Sequence, residues 1–169
     1  MHDQSRTESL GLALPLDAVP IAIMSRALVE GGLPGWSWNT RRVARLIQDP
    51  ETSVLVARRG DELAGFAIMG FGDEAAHLNL LAVDPRFRRA GIGQRLLRWL
   101  EATALTAGTY EIHLEVRATN KVARRFYRAL GYSEVDVLPG YYDRIEDAVR
   151  MTRDLRVVRV EQPGWSSGR

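Results

Sequence analysis

Apolar and polar positions alternate along the chain with changing rhythm, and each rhythm predicts a different element. Asp17 followed by VPIAIMSRAL reads as a first helix, and Asn39 is placed to cap a second, TRRVARLIQ, which Pro50 closes. The intervening GGLPGWSW is a loop. SVLVARR and ELAGFAIMGF, separated by Gly60 and Asp61, form a predicted hairpin of β-branched and apolar residues. AHLNLLAV follows as a buried strand that ends at Asp84-Pro85, because proline lacks the ladder donor and restrains its predecessor. From Gly91 to about Ala107, the residues Ile92, Leu96, Leu100 and Ala104 repeat at i, i+4, one face of a helix that Gly108 stops.

Between Tyr110 and Arg117 the period shortens to two. Tyr110, Ile112, Leu114 and Val116 share one face; Glu111, His113, Glu115 and Arg117 share the other, so this is a half-polar strand. A helix from about Asn120 to Leu130, closed by Gly131, has Val122, Phe126 and Leu130 as its expected buried stripe. Strands near YSEVDVL and DAVRMTRD finish the series. Two helices, a β meander and then β-α-β-α-β-β predict an α+β fold: a mixed central β-sheet with helices on both faces. Residues 10–155 form one expected domain, with 1–9 an N-terminal extension and 156–169 a C-terminal tail.

Composition narrows the chemistry. A chain of 169 residues with 46% hydrophobic positions suits one domain with a sizeable core. There is no cysteine, which excludes disulfides, thiolate metal sites and a sulfur nucleophile, and His2, His77 and His113 are too scattered to suggest a metal cluster. The opening MHDQSRTES is polar, and no stretch reaches the roughly 18 apolar residues of a bilayer span. A soluble cytoplasmic protein is expected, with no membrane partner. Lys121 is the lone lysine among 23 basic residues, so the pI of 9.3 at a net charge of +2 reflects arginine and not a strong excess of charge. Those arginines are dispersed among 21 acids without a basic, aromatic-interleaved tract, which argues against nucleic acid. Two clusters, Arg86/Arg88/Arg89 and Arg124/Arg125/Arg128, would favour an anionic ligand.

The most informative stretch is LNLLAVDPRFRRAGIGQRLL, a strand leading through an arginine loop into a glycine-rich helix start. Gly91 and Gly93 remove side chains where backbone approaches a ligand, and the first helical turn presents unpaired N–H groups that favour anions, a pyrophosphate among them. The pattern is not a P-loop, which needs G-x-x-x-x-G-K-[ST]. Nor is it a dinucleotide fingerprint: Leu96 stands where the third glycine belongs and the strand ends too early, although Glu111 lies about 20 residues on. Taken alone, the glycines also fit a simple tight turn.

Arg88-Arg89-Ala90-Gly91-Ile92-Gly93 after LAVDP resembles the acetyl-CoA pyrophosphate loop, [QR]-x-x-G-x-[GA], of the GNAT superfamily of N-acetyltransferases. LEVRATNKVARRFYRALGY and GYYDRIEDAVRM are similar to segments of the bacterial ribosomal-protein-alanine N-acetyltransferases. The resemblance implies the GNAT fold, with splayed strands forming an acetyl-CoA cleft, and acetyl-CoA as cosubstrate without a metal. It implies that the amides of Arg88, Arg89, Ala90, Gly91, Ile92 and Gly93 bind pyrophosphate, that Leu81, Ala82 and Val83 pair with the pantetheine arm, and that Asn120 contacts CoA. Glu115 takes the place of the general base and Tyr127 that of the general acid. The implied acceptor is a protein N-terminal α-amine, such as that of a ribosomal protein. A lysine side chain or small amine stays open, as does a CoA-binding module with little turnover, whether as monomer or homodimer.

The residue chemistry agrees with those roles. A protonated amine has no lone pair with which to attack a thioester, so a base is needed, and Glu115 serves if burial raises its pKa. A phenol such as Tyr127 can protonate a departing thiolate. Without a cysteine or a G-x-S-x-G elbow, direct attack is more economical than an acyl-enzyme, and strand amides would polarise the carbonyl. Trp36, Tyr141 and Tyr142, on the loop GGLPGWSW and in LPGYY, are candidate walls for the acceptor. His77 and His113 receive no chemical role.

Overall fold

The alternating runs gather into one sheet because their two faces have different helices to bury against. The computed structural model describes residues 7–157. Among these, the strands are β1 (Glu8–Leu12), β2 (Thr52–Arg59), β3 (Glu62–Phe71), β4 (Ala76–Val83), β5 (Glu111–Arg117), β6 (Ser133–Tyr142) and β7 (Glu146–Asp154). The helices are α1 (Ala18–Leu28), α2 (Thr40–Ile47), α3 (Ile92–Thr106) and α4 (Lys121–Ala129). The sheet runs β1-β2-β3-β4-β5-β7-β6, antiparallel except where β4 meets β5.

Strand β2 shows why its sequence reads as a continuous apolar run. Leu55 and Ala57 pack with Leu96, Leu97 and Leu100 of α3, whereas Val54 and Val56 pack on the other face with Ile21 and Ala22 of α1 and Val43 of α2. Both faces are therefore buried. Local signals set the boundaries: the Asn39 side chain caps α2 by accepting from Arg42 N–H (3.0 Å), and Asp84 accepts from Arg86 N–H (2.9 Å) as β4 ends.

Three expectations need correction. β1 begins at Glu8 and pairs from Glu8↔Arg59 to Leu12↔Leu55, so residues 8 and 9 belong to the sheet and not to an extension. Its sequence ESLGL lacks β-branched residues, and the pairing is supported by Glu8 ion pairs with Arg59 and Arg95. On α4, Val122 is 73% exposed while Tyr127 is only 8% exposed. The helix docks through Ala123, Phe126, Tyr127 and Leu130 (i, i+3, i+4, i+7), one residue round from the stripe predicted. Tyr110 precedes β5 and is largely exposed. Residues 1–6 of the expected extension and 158–169 of the expected tail lie outside the described residues. No helix among those described is long and apolar enough to cross a membrane.

Candidate functional site

Strands β4 and β5 pair in parallel only over Ala76–Leu78 and Ile112–Leu114. Beyond that point β4 continues along β3 to Val83, while β5 continues along β7 to Arg117. The splay opens a cleft of about 640 Å³ whose walls include Leu81, Glu115, Asn120, Tyr127, Tyr141 and Tyr142. Main-chain groups are exposed along its β4 edge. Asp84 N–H donates to Ala64 O (2.8 Å), and a Cβ placed on Gly65 would stand 2.8 Å from Ala82 O, so Ala82 turns its polar groups toward β3. By strand alternation Leu81 and Val83 turn theirs toward the gap. Of the three strand residues singled out, Leu81 and Val83 turn main-chain groups to the gap, where Val83 O accepts from Arg88 Nε (3.2 Å), and Ala82 does not.

The loop after β4 has a related character. Arg89 (φ 63°) and Gly91 (φ 75°) are both left-handed, and the second of these leads directly into α3. An L-residue in that region costs about 1–2 kcal/mol, which glycine avoids and Arg89 does not. Main-chain N–H groups of residues 89–94 find no acceptor among the described residues. The Ile92 side chain is buried, so its contribution is confined to its backbone. Arg88 and Arg89 are exposed and lack a carboxylate partner among the described residues, whereas Arg86 is held by Asp84 and Glu62. Arg124 and Arg128 of the second basic cluster are held by Glu134.

Glu115 sits deeper, at the point of splay. Its Oε2 lies 2.5 Å from His77 Nε2 and its Oε1 accepts from Arg150 Nε (3.1 Å). The second ring nitrogen, His77 Nδ1, lies 2.7 Å from Asn79 Oδ1. Burial raises the Glu115 carboxyl, as expected, but His77 and Arg150 outweigh it, and the group settles below the ordinary carboxylate range. The hydrogen bond to Glu115 holds His77 above its usual value despite burial. A carboxylate made basic by burial alone is therefore replaced by a coupled Glu115–His77 pair, with the histidine its more basic member. Sequence alone gives His77 no chemical role. The signal was the polar interruption of an apolar strand at period two, His77 and Asn79, facing the polar side of β5.

Tyr127 is buried and its hydroxyl has no hydrogen-bond partner among the described residues, so it faces the cleft uncommitted. Burial, chiefly, raises its pKa and keeps it protonated. Edge-on contacts with Phe126 and Tyr132 fix the ring. Asn120 lines the same cleft and caps α4 by accepting from Ala123 N–H (3.0 Å), and its amide nitrogen has no partner among the described residues. Tyr141 and Tyr142 meet edge-to-face at 5.0 Å on the far wall.

Trp36 is 45% exposed and is not in the cleft wall; Trp38 takes that position, under the Arg42 guanidinium at 3.7 Å. Glu30, buried, anchors this loop by accepting from Ser37 N–H (2.7 Å) and Ser37 Oγ (2.6 Å). Arg117 donates to Val29 O (2.9 Å) and Gly31 O (2.8 Å), fastening the end of α1 to β5.

Comparison with known proteins adds the following. Residues 23–132 match the Acetyltransferase (GNAT) family. The [ribosomal protein bS18]-alanine N-acetyltransferase of Salmonella typhimurium is 39% identical over 94 residues, a match covering 54% of this chain and 64% of that protein. Among solved structures, Ard1 from Thermoplasma volcanium superposes with TM-score 0.78 at 25% identity, covering 88% of this chain and 97% of that one. The ribosomal-protein-S18-alanine N-acetyltransferase from Escherichia coli superposes with TM-score 0.73 at 26% identity, covering 94% and 100%. With the splayed strands, the arginine-glycine loop and a family match over more than half its length, the chain belongs to the acetyltransferase (GNAT) family.

Proposed function

We propose that this chain transfers an acetyl group from acetyl-CoA directly to a primary amine, the N-terminal α-amine of a cytoplasmic protein. The observation that carries this reading is the meeting, in one cleft, of a hydrogen-bonded Glu115–His77 pair and a Tyr127 hydroxyl with no partner among the described residues. The donor fits the residues present. Amides of residues 89–94 without an acceptor among the described residues, beside Arg88 and Arg89, suit a diphosphate, and the β4 edge at Leu81, continued by Val83 N–H, suits the amides of a pantetheine arm. When bound, acetyl-CoA supplies the thioester.

The chain's own residues then divide the proton work. Glu115 is ionised at neutral pH and accepts the ammonium proton of the acceptor; His77, when neutral, has the higher proton affinity and takes that proton onward to solvent. Tyr127 keeps its proton until a thiolate forms beside it. Arg150 holds Glu115 in register from β7. The protein relatives that are named for alanine N-acetylation support an α-amine acceptor. The test is release of free CoA on incubation with acetyl-CoA and N-terminal peptides, lysine peptides or polyamines. Turnover with the N-terminal peptides is expected. CoA binding by calorimetry with no turnover on any acceptor would leave a binding module instead.

A further inference from the structure

Several arginines of the fold are neutralised at short range: Arg58 by Asp17, Arg86 by Asp84, Arg124 by Glu134, Arg150 by Glu115, Arg153 by Glu101. Helix α2, like Arg88 and Arg89 beside the glycine loop, is not so neutralised. Arg41, Arg42 and Arg45 occupy three of its eight positions, and none has a carboxylate within ion-pair distance among the described residues. Arg42 lines the cleft, half-buried, with its guanidinium over the Trp38 ring. Stacking of this kind holds the fork in place without satisfying its N–H donors.

The other charges of the cleft do not answer it. Glu30 spends its oxygens on Ser37 and on Trp38 N–H. Glu115 is committed to His77 and Arg150, and Arg117 to main-chain carbonyls and Glu146. Asp143 lines the cleft beside Gly35, without an ion pair among the described residues. Burial, with the charge of Arg45 behind it, holds the Arg42 guanidinium below its ordinary pKa even though Glu30 opposes the shift. That is the condition of a cation short of a counter-charge.

We propose that α2 reads the charge of the acceptor: Arg42, backed by Arg41 and Arg45, binds a carboxylate of the incoming chain and selects proteins with Asp or Glu just after the reacting amine. This rests on the N-terminal acceptor read above. Arg42 lines the same cleft as Glu115 and Tyr127, and an extended residue spans about 3.3–3.6 Å, so the second and third residues of the incoming chain are the positions to vary. The planar fork of arginine matches a carboxylate through two parallel N–H donors.

The test uses the whole chain with acetyl-CoA and peptides identical except for Asp, Asn or Lys at position two, and a second such set at position three. In one set Asp should exceed Asn in kcat/KM by about tenfold, with Lys lowest, as a charge-assisted bond predicts, and added salt should shrink the ratio. R42Q should bring the Asp/Asn ratio close to one, R42K should keep part of it, and the R41Q/R45Q pair should reduce it. D143N should leave the order of the peptides in place. Equal kcat/KM across both sets, or an Asp preference that survives R42Q in protein that still binds CoA, overturns this proposal alone. Turnover of lysine peptides or polyamines with none of the N-terminal peptides overturns it together with the acceptor reading.

Discussion

On the glycine-loop side of the cleft, the open groups beside the exposed Arg88 and Arg89 are chiefly main-chain: the edge of β4 at Leu81 and the amides of residues 89–94, which find no acceptor among the described residues. On the opposite side, between α2 and the β6–β7 hairpin, they are side chains drawn from distant stretches: Trp38 and Arg42, Glu115 and Tyr127, Tyr141 and Tyr142. Backbone recognition requires a path for the chain, which a short run of glycine, proline and caps dictates. Side-chain recognition requires that separate segments arrive in register, which no short run dictates. The first tolerates many side chains and few conformations; the second, the reverse.

Substitutions can break that contrast, beginning with the strongest. Glu115→Gln removes the proton acceptor and leaves main chain untouched, so kcat should fall by about 10²–10⁴ while CoA affinity by calorimetry stays near wild type. Comparable losses in both would blur the division between the two sides. Tyr127→Phe deletes an oxygen that has no partner among the described residues, so stability should hold while kcat falls by about 100-fold, the lower end of what a proton donor contributes. Wild-type turnover would remove its acid role. Gly91→Val acts on the other side: at φ 75° a β-branched residue is strained by about 1–2 kcal/mol, which should weaken CoA binding about tenfold with little change in kcat at saturation. A fall in kcat without a change in CoA affinity would contradict the backbone role.

The smallest effect is the most diagnostic. Because Glu115 raises His77, the imidazole stays charged above pH 6.5, and kcat/KM should fall as the medium is acidified through that raised value. His77→Gln should shift this limb to lower pH. Independently of turnover, the His77 ring followed by NMR should titrate above 6.5 in the wild type and lower in Glu115→Gln; an unshifted ring would dissolve the pair. The sign for stability is the same: the raised folded value makes the pairing fully stabilising below about pH 6.5 and lost as pH climbs through the folded value.

These differences explain what could be read in advance. Asp84-Pro85, Asn39, Gly108 and the loop of residues 88–93 act on the chain within a few positions of themselves, and the elements they bound fall where the pattern puts them. β1 escaped because ESLGL carries little strand propensity and is recruited by its neighbour β2. Val122 lies outside the stripe its spacing predicts because one turn of α4 offers two adjacent apolar faces, and the packing of Tyr127 against Tyr132 chooses between them. Trp38 and Trp36 are separated by a single residue, and the Glu30 bonds to Ser37 and Trp38, remote from local pattern, set the loop that distinguishes them. The partnership of His77 with Glu115 depends on a strand register that spans 38 positions.

Arg117 gives the side-chain wall a mechanical unity. One guanidinium grips the last carbonyls after α1, pairs with Glu146 (3.3 Å) and stands over the Tyr142 ring (5.8 Å). The jaw made by the first loop and the jaw made by the last hairpin are thus bolted through a common pin, so neither can gape without dragging the other. Loosening that pin would widen the mouth for bulkier guests at both lips together.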